Sequence, residues 1–201
     1  MKIVGLGGSL ATRSQSHAAL VTALSGAAEA GAETQLLDLR ELDLPMFSPE
    51  AEPTAAVLQM VETLESADGL LWSSPLYQGS ISGSFKNSLD WLHLPSGSVY
   101  LTDKVIGLIS VAGGSQALQA INTMEFSVRA LRAWAVPLVV PVPQAARVFD
   151  DEGRPENEAV ERQLKMLGSE VVRVAEHFAT EESPEHEKVC ARAAERVVAA
   201  A

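Results

Sequence analysis

Short apolar runs alternate along this chain with longer segments whose apolar residues recur at helical spacing. Such runs predict strands covered on both faces, because a strand buried between two layers carries apolar side chains at nearly every position. The clearest run is KVIGLISV, which ends at Val111. The predicted strands are 2–7, 34–39, 69–73, 104–111 and 137–142.

Between these runs, apolar residues three and four positions apart predict amphipathic helices. In the segment 156–178 they are Val160, Leu164, Leu167, Val171, Val174 and Phe178. Gly31 follows the first helical segment, a place where glycine commonly ends a helix. The predicted helices are 14–30, 54–66, 85–92, 116–135, 156–178 and 184–200.

Strands that alternate with helices predict an α/β fold with a doubly wound, mostly parallel five-stranded sheet and helices on both faces. The prolines of the last strand favour an edge position or an irregular strand. We find no internal repeat or linker, so one domain is expected over 1–180. The segment 181–201 is expected to be a helical extension that packs on this domain, serves a partner subunit or frays.

Composition and charge narrow the classes of function. The 201 residues carry a net charge of −11, which argues against nucleic acid and against anionic membrane surfaces as partners. Cys190 is the only cysteine, so no internal disulfide can form, and this favours a reducing cytoplasm. Neither a secretory signal nor an apolar stretch of membrane-spanning length is found.

Three loops rich in Gly and Ser follow predicted strands one, three and four: residues 8–16, 74–83 and 112–117. In doubly wound sheets, ligands bind beyond the carboxyl ends of the strands, at the point where the strand order reverses. Three loops of similar composition at this edge predict one shared ligand site.

The first loop has the character of a phosphate site. It carries hydroxyls at Ser9, Thr12, Ser14 and Ser16 around a predicted helix start, and Arg13 adds a positive charge. Free backbone N–H groups and the helix dipole favour an anion there. The Gly-Lys-Ser/Thr of a triphosphate loop is absent, which argues against Mg-ATP. The alternative is a Ser-rich helix cap without a ligand.

A hydrolase is the other alternative at this loop. Ser9 lies in GGSLA, close to the nucleophile elbow G-x-S-x-G, and it would need one of His17, His93, His177 or His186 as partner. The motif follows the first strand, whereas the elbow of that fold comes after several strands. The histidines are isolated and show no spacing of metal ligands.

The second and third loops are suited to a flat ring. Tyr77 can cover an aromatic face, although it can equally be a core residue. Gly79, Gly83 and the pair Gly113-Gly114 allow a close approach of the backbone. The helix expected to begin at Ser115 and Gln116 would favour negative charge that develops on a reduced ring.

The second loop resembles a known family, the NAD(P)H-dependent FMN reductases of the flavodoxin-like superfamily. Their pattern is P-x-Y-N/H-G-S-x-P-G-x-L-K-N-x-x-D-W, and this chain reads PLYQGSISGSFKNSLDW from Pro75 to Trp91. Gln78, Ser82 and Phe85 replace the usual polar residue, Pro and Leu. The loops after strands one and four, and the polar turn FDDEGR at 149–154, are also similar to the family's.

The resemblance implies a flavodoxin-like strand order of 2-1-3-4-5 and a cytoplasmic homodimer or homotetramer that binds FMN. By analogy, the phosphate is held by Ser9, Arg13, Gln15 and Ser16. The isoalloxazine ring is held by Pro75, Leu76, Tyr77, Gln78, Gly79 and Ser80. Its pyrimidine side meets Ala112, Gly113, Gly114 and Ser115. Lys86 and Asp90 are expected to be structural or interfacial.

The reaction implied is ping-pong: NAD(P)H gives hydride to FMN, and a second acceptor, such as free flavin, a quinone, chromate or an azo compound, then takes its place. The flavin carries the chemistry, so no catalytic acid–base pair is required. Two alternatives remain at this stage. One is a flavodoxin-type electron carrier that does not oxidise NAD(P)H itself, and the other is a flavin-free binding subunit.

Overall fold

The computed structural model describes residues 1–94 and 97–179. The strands are β1 (Lys2–Gly7), β2 (Glu33–Asp38), β3 (Gly69–Pro75), β4 (His93–Leu94), β5 (Gly97–Ser98), β6 (Val105–Val111) and β7 (Trp134–Val142). The helices are α1 (Gln15–Glu29), α2 (Leu39–Leu42), α3 (Ala55–Glu65), α4 (Gly83–Asp90), α5 (Leu118–Ala130) and α6 (Glu158–Ala179). A single 3₁₀ turn follows β7 at Ala145–Arg147.

The main sheet has five parallel strands in the order β2-β1-β3-β6-β7. Numbered among themselves, these strands have the predicted order 2-1-3-4-5. β7 lies at an edge, as its prolines predicted, and its register against β6 shifts between Ile106 and Leu108. The short antiparallel pair of β4 and β5, and the single turn of α2, were not predicted.

Alternate strand residues contribute to two apolar clusters, because successive side chains of a strand point to opposite faces. Ile109 packs in one cluster with residues of α1 and α6, such as Leu20 and Leu167. Leu108 packs in the other with residues of α3, α4 and α5. This layering fixes the strands and leaves their carboxyl ends free to carry loops.

Each end of the first helix lies within one residue of the predicted range 14–30. Ser14 caps α1 through its side chain, which accepts a hydrogen bond from the His17 backbone N–H at 3.1 Å. At the other end Gly31 has φ +94°, and the Ala32 N–H reaches the Ala27 carbonyl at 3.1 Å. This is the left-handed helix end that glycine favours.

The fifth helix ends earlier than the sequence predicted. Helical spacing extended it to residue 135, but α5 ends at Ala130 and β7 already begins at Trp134. Arg132 takes the left-handed conformation with φ +63°, and the Ala133 N–H bonds to the Val128 carbonyl at 3.0 Å. The end motif is the one at Gly31, with arginine in the glycine position, so no glycine marked it in the sequence. The predicted helix 184–200 and the extension 181–201 lie outside the described residues.

Candidate functional site

The three glycine- and serine-rich loops meet at one edge of the sheet. β1, β3 and β6 are neighbours, and each loop leaves the carboxyl end of one of them. The Gly8 N–H donates to the Ser73 carbonyl at 2.8 Å, and the Leu76 N–H donates to the Val111 carbonyl at 2.8 Å. Each of these bonds ties the beginning of one loop to the end of the neighbouring strand.

The first loop presents unused backbone donors. Ser9 is buried, and its hydroxyl oxygen accepts the Ala11 N–H at 3.2 Å. Among the described residues, no acceptor takes the backbone N–H groups of Leu10, Thr12 and Arg13. The hydroxyls of Ser14 and Ser16 lie 3.0 Å apart at the start of α1. The loop therefore offers donors and a helix N-terminus to an anion.

The hydrolase alternative has no support in this geometry. Within the described part of the chain, the only hydrogen bond of the Ser9 hydroxyl is the one from Ala11. The nearby His17 instead directs Nδ1 toward Asp38, at 3.5 Å from Oδ2. Because no imidazole within 1–94 or 97–179 lies against the Ser9 hydroxyl, the arrangement that activates a serine nucleophile is missing from these residues, and His186 lies outside them.

Asp38 anchors the side of the first loop. This carboxylate is buried at the end of β2, beside the end of β1. It pairs with Arg40 at 3.1 Å, and Arg40 also donates to the Thr12 carbonyl at 3.3 Å. Arg40 therefore neutralises a carboxylate that would otherwise repel an anion at the loop.

Arg13 and Gln15 line a groove of about 870 Å³ on the outer side of α1, facing the polar turn that precedes α6. In that turn Asp150 accepts the Arg154 backbone N–H at 2.8 Å and the Arg154 side chain at 2.7 Å. The backbone hydrogen bond from Arg154, together with its side-chain bond and charge, lowers the pKa of Asp150. Arg13 itself is exposed, so its side chain can turn toward the loop or the groove.

The second loop is a tight turn that exposes an aromatic ring. Tyr77 and Ser80 exchange backbone hydrogen bonds at 2.9 and 3.1 Å. Gln78 and Gly79 between them have φ +48° and +84°, the pattern of a type I′ turn. The Tyr77 side chain is 54% exposed, so it is not a core residue. Its ring is available to a ligand.

Side chains of α5 border this turn, a contact that the sequence analysis missed. The Ser80 and Thr123 hydroxyls lie 3.4 Å apart. The Gln119 amide oxygen lies 3.6 Å from where a Cβ on Gly79 would be. The spacing of four between Gln119 and Thr123 was the available signal, since it places both on one side of a helix.

The third loop is open. A Cβ at Gly113 or Gly114 would meet nothing within 4 Å among the described residues, and Ser115 is exposed. The helix begins at Leu118, two positions later than predicted, and its cap residue Ala117 makes no side-chain hydrogen bond. The Gln119 N–H donates to the Gln116 carbonyl at 3.1 Å, whereas the Leu118 N–H has no acceptor among the described residues and keeps its capacity for a ligand.

A fourth segment, after β7, supports the third loop and was also missed. The Gln144 N–H donates to the Gly114 carbonyl at 2.9 Å, and the Ala145 N–H donates to the Ala112 carbonyl at 3.1 Å. Gln144 has φ +49°, a conformation for which its sequence gave no sign.

The second half of the family pattern, from Ser84 to Trp91, makes contacts within the fold. Asn87 accepts the Phe47 N–H at 2.8 Å and donates to the Pro45 carbonyl at 2.9 Å, and the Trp91 indole donates to the same carbonyl at 2.7 Å. Lys86 and Asp90 pair with each other across one turn of α4. The bonds of Asn87 and Trp91 hold the segment before α3 against the end of α4.

Among the described residues, no group of three or more His, Cys, Asp and Glu side chains could hold a metal ion. None of the helices within 1–94 and 97–179 is long and apolar enough to cross a membrane.

The chain is similar in sequence to a known family and to several known proteins. Residues 1–147 match the family described as NADPH-dependent FMN reductase. The chain is 39% identical over 125 residues to NADPH-dependent FMN reductase ArsH of Acidithiobacillus ferrooxidans, over 62% of this chain and 52% of that protein. It is 34% identical over 108 residues to NADPH azoreductase of Bacillus sp. strain OY1-2, over 52% and 58% of the two chains.

The fold is similar to that of the flavodoxin, WrbA-like protein of Agrobacterium tumefaciens. The TM-score is 0.62 at 18% identity, over 88% of this chain and 98% of that chain. The chain spans about half the length of the curated relatives that it matches first. Since the family match covers residues 1–147 and includes all three loops, the chain belongs to the NADPH-dependent FMN reductase family.

Proposed function

We propose that this protein is an NAD(P)H-dependent flavin reductase that works by a ping-pong mechanism. NAD(P)H loses hydride and leaves as NAD(P)⁺. A second acceptor then gains the same two electrons, with protons taken from solvent as its chemistry requires. The observation that carries the proposal is the convergence of three loops with unused backbone donors, an exposed Tyr77 ring and open glycines. The family membership supplies the chemistry.

The residues present fit FMN. A phosphate monoester needs N–H and O–H donors, which the loop after β1 offers at Leu10, Thr12 and Ser16. A flat ring needs open space and an aromatic neighbour, and these are provided by Gly113, Gly114 and Tyr77. When bound, FMN would supply the hydride transfer chemistry, while the protein binds and orients.

Each loop has its own role in this proposal. The phosphate is held by Ser9, Arg13, Gln15 and Ser16. The ring is lined by Pro75, Leu76, Tyr77, Gln78, Gly79 and Ser80. Its pyrimidine side is met by Ala112, Gly113, Gly114 and Ser115. The uncapped N-terminus of α5 stabilises negative charge there through its dipole. No side chain of this set has to carry a proton, so the roles are binding and positioning.

The electron acceptor, the oligomeric state and the cellular location of the protein are part of the same proposal. Free flavin, quinones, chromate and azo compounds are the acceptor classes, and an azo acceptor is supported by the 34% identity to an NADPH azoreductase. We propose a homodimer or homotetramer in the cytoplasm, by analogy with the family. The two apolar clusters support helices on both faces of a doubly wound sheet, with α1 and α6 on one face.

The test is an absorbance spectrum of the purified protein with added FMN, followed by NADH or NADPH under anaerobic conditions. We expect bound flavin that bleaches with one of the two donors and recovers with a quinone or an azo dye. Bound flavin that neither donor bleaches would indicate an electron carrier. A protein that binds no FMN would overturn the proposal in favour of a flavin-free binding subunit.

A further inference from the structure

Ser82, near the end of the second loop, and Ser84, in the first turn of α4, hold the carbonyl of Gly8 in the first loop. The Ser82 hydroxyl donates to the Gly8 carbonyl at 2.5 Å, and the Ser84 hydroxyl donates to the same oxygen at 2.7 Å. We call this arrangement of Ser82, Ser84 and the Gly8 carbonyl the serine clasp. It joins Gly8 and Ser82, which are 74 residues apart in the chain and lie in the loops of the two halves of the proposed flavin site.

Ser82 is fixed on all of its polar atoms. Its backbone N–H donates to the Ser74 hydroxyl at 3.0 Å, and its own hydroxyl oxygen accepts the Phe85 N–H at 3.2 Å. The residue is only 1% exposed, so water does not compete for these bonds. The first turn of α4 and the end of β3 therefore set the position of the clasp hydroxyl.

Gly8 is fixed from the other side as well. Its N–H donates to the Ser73 carbonyl at 2.8 Å. A Cβ at this position would lie 2.8 Å from the Cβ of Phe85, so the backbone rests directly on α4. Gly8 cannot shift without breaking bonds on both of its peptide groups.

The fixed carbonyl determines where the next N–H points. A trans peptide is planar, and its C=O and N–H groups point in opposite directions. Because the Gly8 carbonyl is turned toward Ser82 and Ser84, the Ser9 N–H is turned away from them. The clasp thus keeps the Gly8 carbonyl oxygen, which would repel an anion, turned toward Ser82 and Ser84. The Ser9 N–H on the opposite side of the peptide is presented as a donor instead.

We propose that Ser82 and Ser84 are positioning residues for the phosphate group of the flavin, acting through the Gly8–Ser9 peptide. The inference rests on the proposed FMN binding and adds that the first loop is held ready for phosphate before the ligand arrives. Preorganisation of this kind raises affinity by lowering the ordering cost of binding. The family pattern has Pro at position 82, which has neither an N–H for Ser74 nor a hydroxyl for Gly8, so this device belongs to this chain.

The test compares FMN with riboflavin, which lacks the phosphate, in flavin-fluorescence titrations. The variants are Ser82→Ala, Ser84→Ala and the double variant, and Ser84→Thr retains a hydroxyl. Ser88→Ala is the matched control, because Ser88 is a buried serine of α4 whose hydroxyl, as far as the described residues go, bonds only to the Phe85 carbonyl, at 2.7 Å. The free energy of unfolding of each variant is measured alongside.

We expect each Ala variant to weaken FMN binding about fivefold, as the loss of one hydrogen bond does, and the double variant to weaken it further. Riboflavin affinity should stay unchanged, Ser84→Thr should bind FMN as the wild type does, and Ser88→Ala should change stability alone. Since Ser84 is only partly buried, its variants keep the test available if Ser82→Ala does not fold.

The clasp proposal would be overturned if the variants lost affinity for FMN and riboflavin equally. It would also be overturned if the ratio of FMN affinity to riboflavin affinity in the double variant equalled that of the wild type. The FMN proposal would stand in both cases. If the wild type binds neither flavin, the proposed function fails first and the clasp proposal fails with it. The two failures are therefore distinguishable.

Discussion

Tyr77 and Ser80 bond to each other through both of their backbone groups, at 2.9 and 3.1 Å, and so close the turn that presents the Tyr77 ring. The two residues between them have positive φ, +48° at Gln78 and +84° at Gly79. Left-handed backbone costs most residues roughly 1–2 kcal/mol, with glycine exempt and asparagine penalised less. The effect of a single substitution in this turn on the free energy of unfolding therefore has a predictable sign.

Gly79→Ala is expected to lower the free energy of unfolding by about 1 kcal/mol, because a Cβ disfavours this φ. Gln78→Asn is the matched control, since asparagine accepts the left-handed region better than glutamine, and it should leave stability unchanged or slightly raised. Urea denaturation of both variants measures the effect. Equal stability of Gly79→Ala and the wild type would contradict the turn geometry.

Ser9→Ala is expected to weaken FMN binding about ten- to a hundredfold, the value of a hydrogen bond to a charged group. Ser9 is buried and its oxygen accepts the Ala11 N–H, so its O–H remains available to a phosphate. A flavin-fluorescence titration measures the affinity. Ser66→Ala is the control, because Ser66 ends α3 and precedes β3, at the opposite edge of the sheet. An affinity equal to that of the wild type would remove Ser9 from the proposed phosphate site.

Gly8→Ala is expected to lower the free energy of unfolding by about 1–3 kcal/mol through overpacking. The new Cβ would lie 2.8 Å from the Phe85 Cβ. Gly83→Ala, at the start of α4, is the control without a clash, because nothing lies within 4 Å of its added Cβ among the described residues. That control should be neutral or raise stability by up to about 1 kcal/mol. A thermal or urea unfolding series separates the two, and a tolerated Gly8→Ala would argue against close packing of the first loop on α4.

The turn at Asp150 is expected to weaken in acid. Hydrogen bonds from the Arg154 backbone and side chain lower the pKa of Asp150 below its ordinary value. A carboxyl whose pKa is lower in the folded state contributes stability that is fully present above its unfolded pKa, about 4, and is lost as the pH falls through the folded value.

A carbon-detected NMR titration of the Asp150 carboxyl checks the direction of its pKa shift. Asp150→Asn should abolish the acid dependence assigned to this turn, as seen in unfolding midpoints measured from about pH 2 to 6. Asp151→Asn, at the exposed neighbour, is the control. An Asp150 titration at or above the ordinary aspartate value would contradict the hydrogen bonding of the turn.

The sequence by itself determined the alternation of strands and helices, because the spacing of apolar residues is a local property of each element. It also determined the serine-rich start of α1, the helix end at Gly31 and the three loops, since small hydroxyl residues and glycine have local backbone preferences. The family pattern from Pro75 to Trp91 then pointed to a flavin.

The tertiary structure decided the contacts between distant segments and several boundaries. The end of α5 depends on Arg132 taking a glycine conformation, and the β4–β5 pair is too short for a periodic signal. The hold of Ser82 on Gly8 joins residues 74 positions apart, and no local pattern encodes such a distance. The chain's local chemistry supplied the loops of the proposed flavin site, and only the packing of α4 beneath Gly8 decided how the first of them is held.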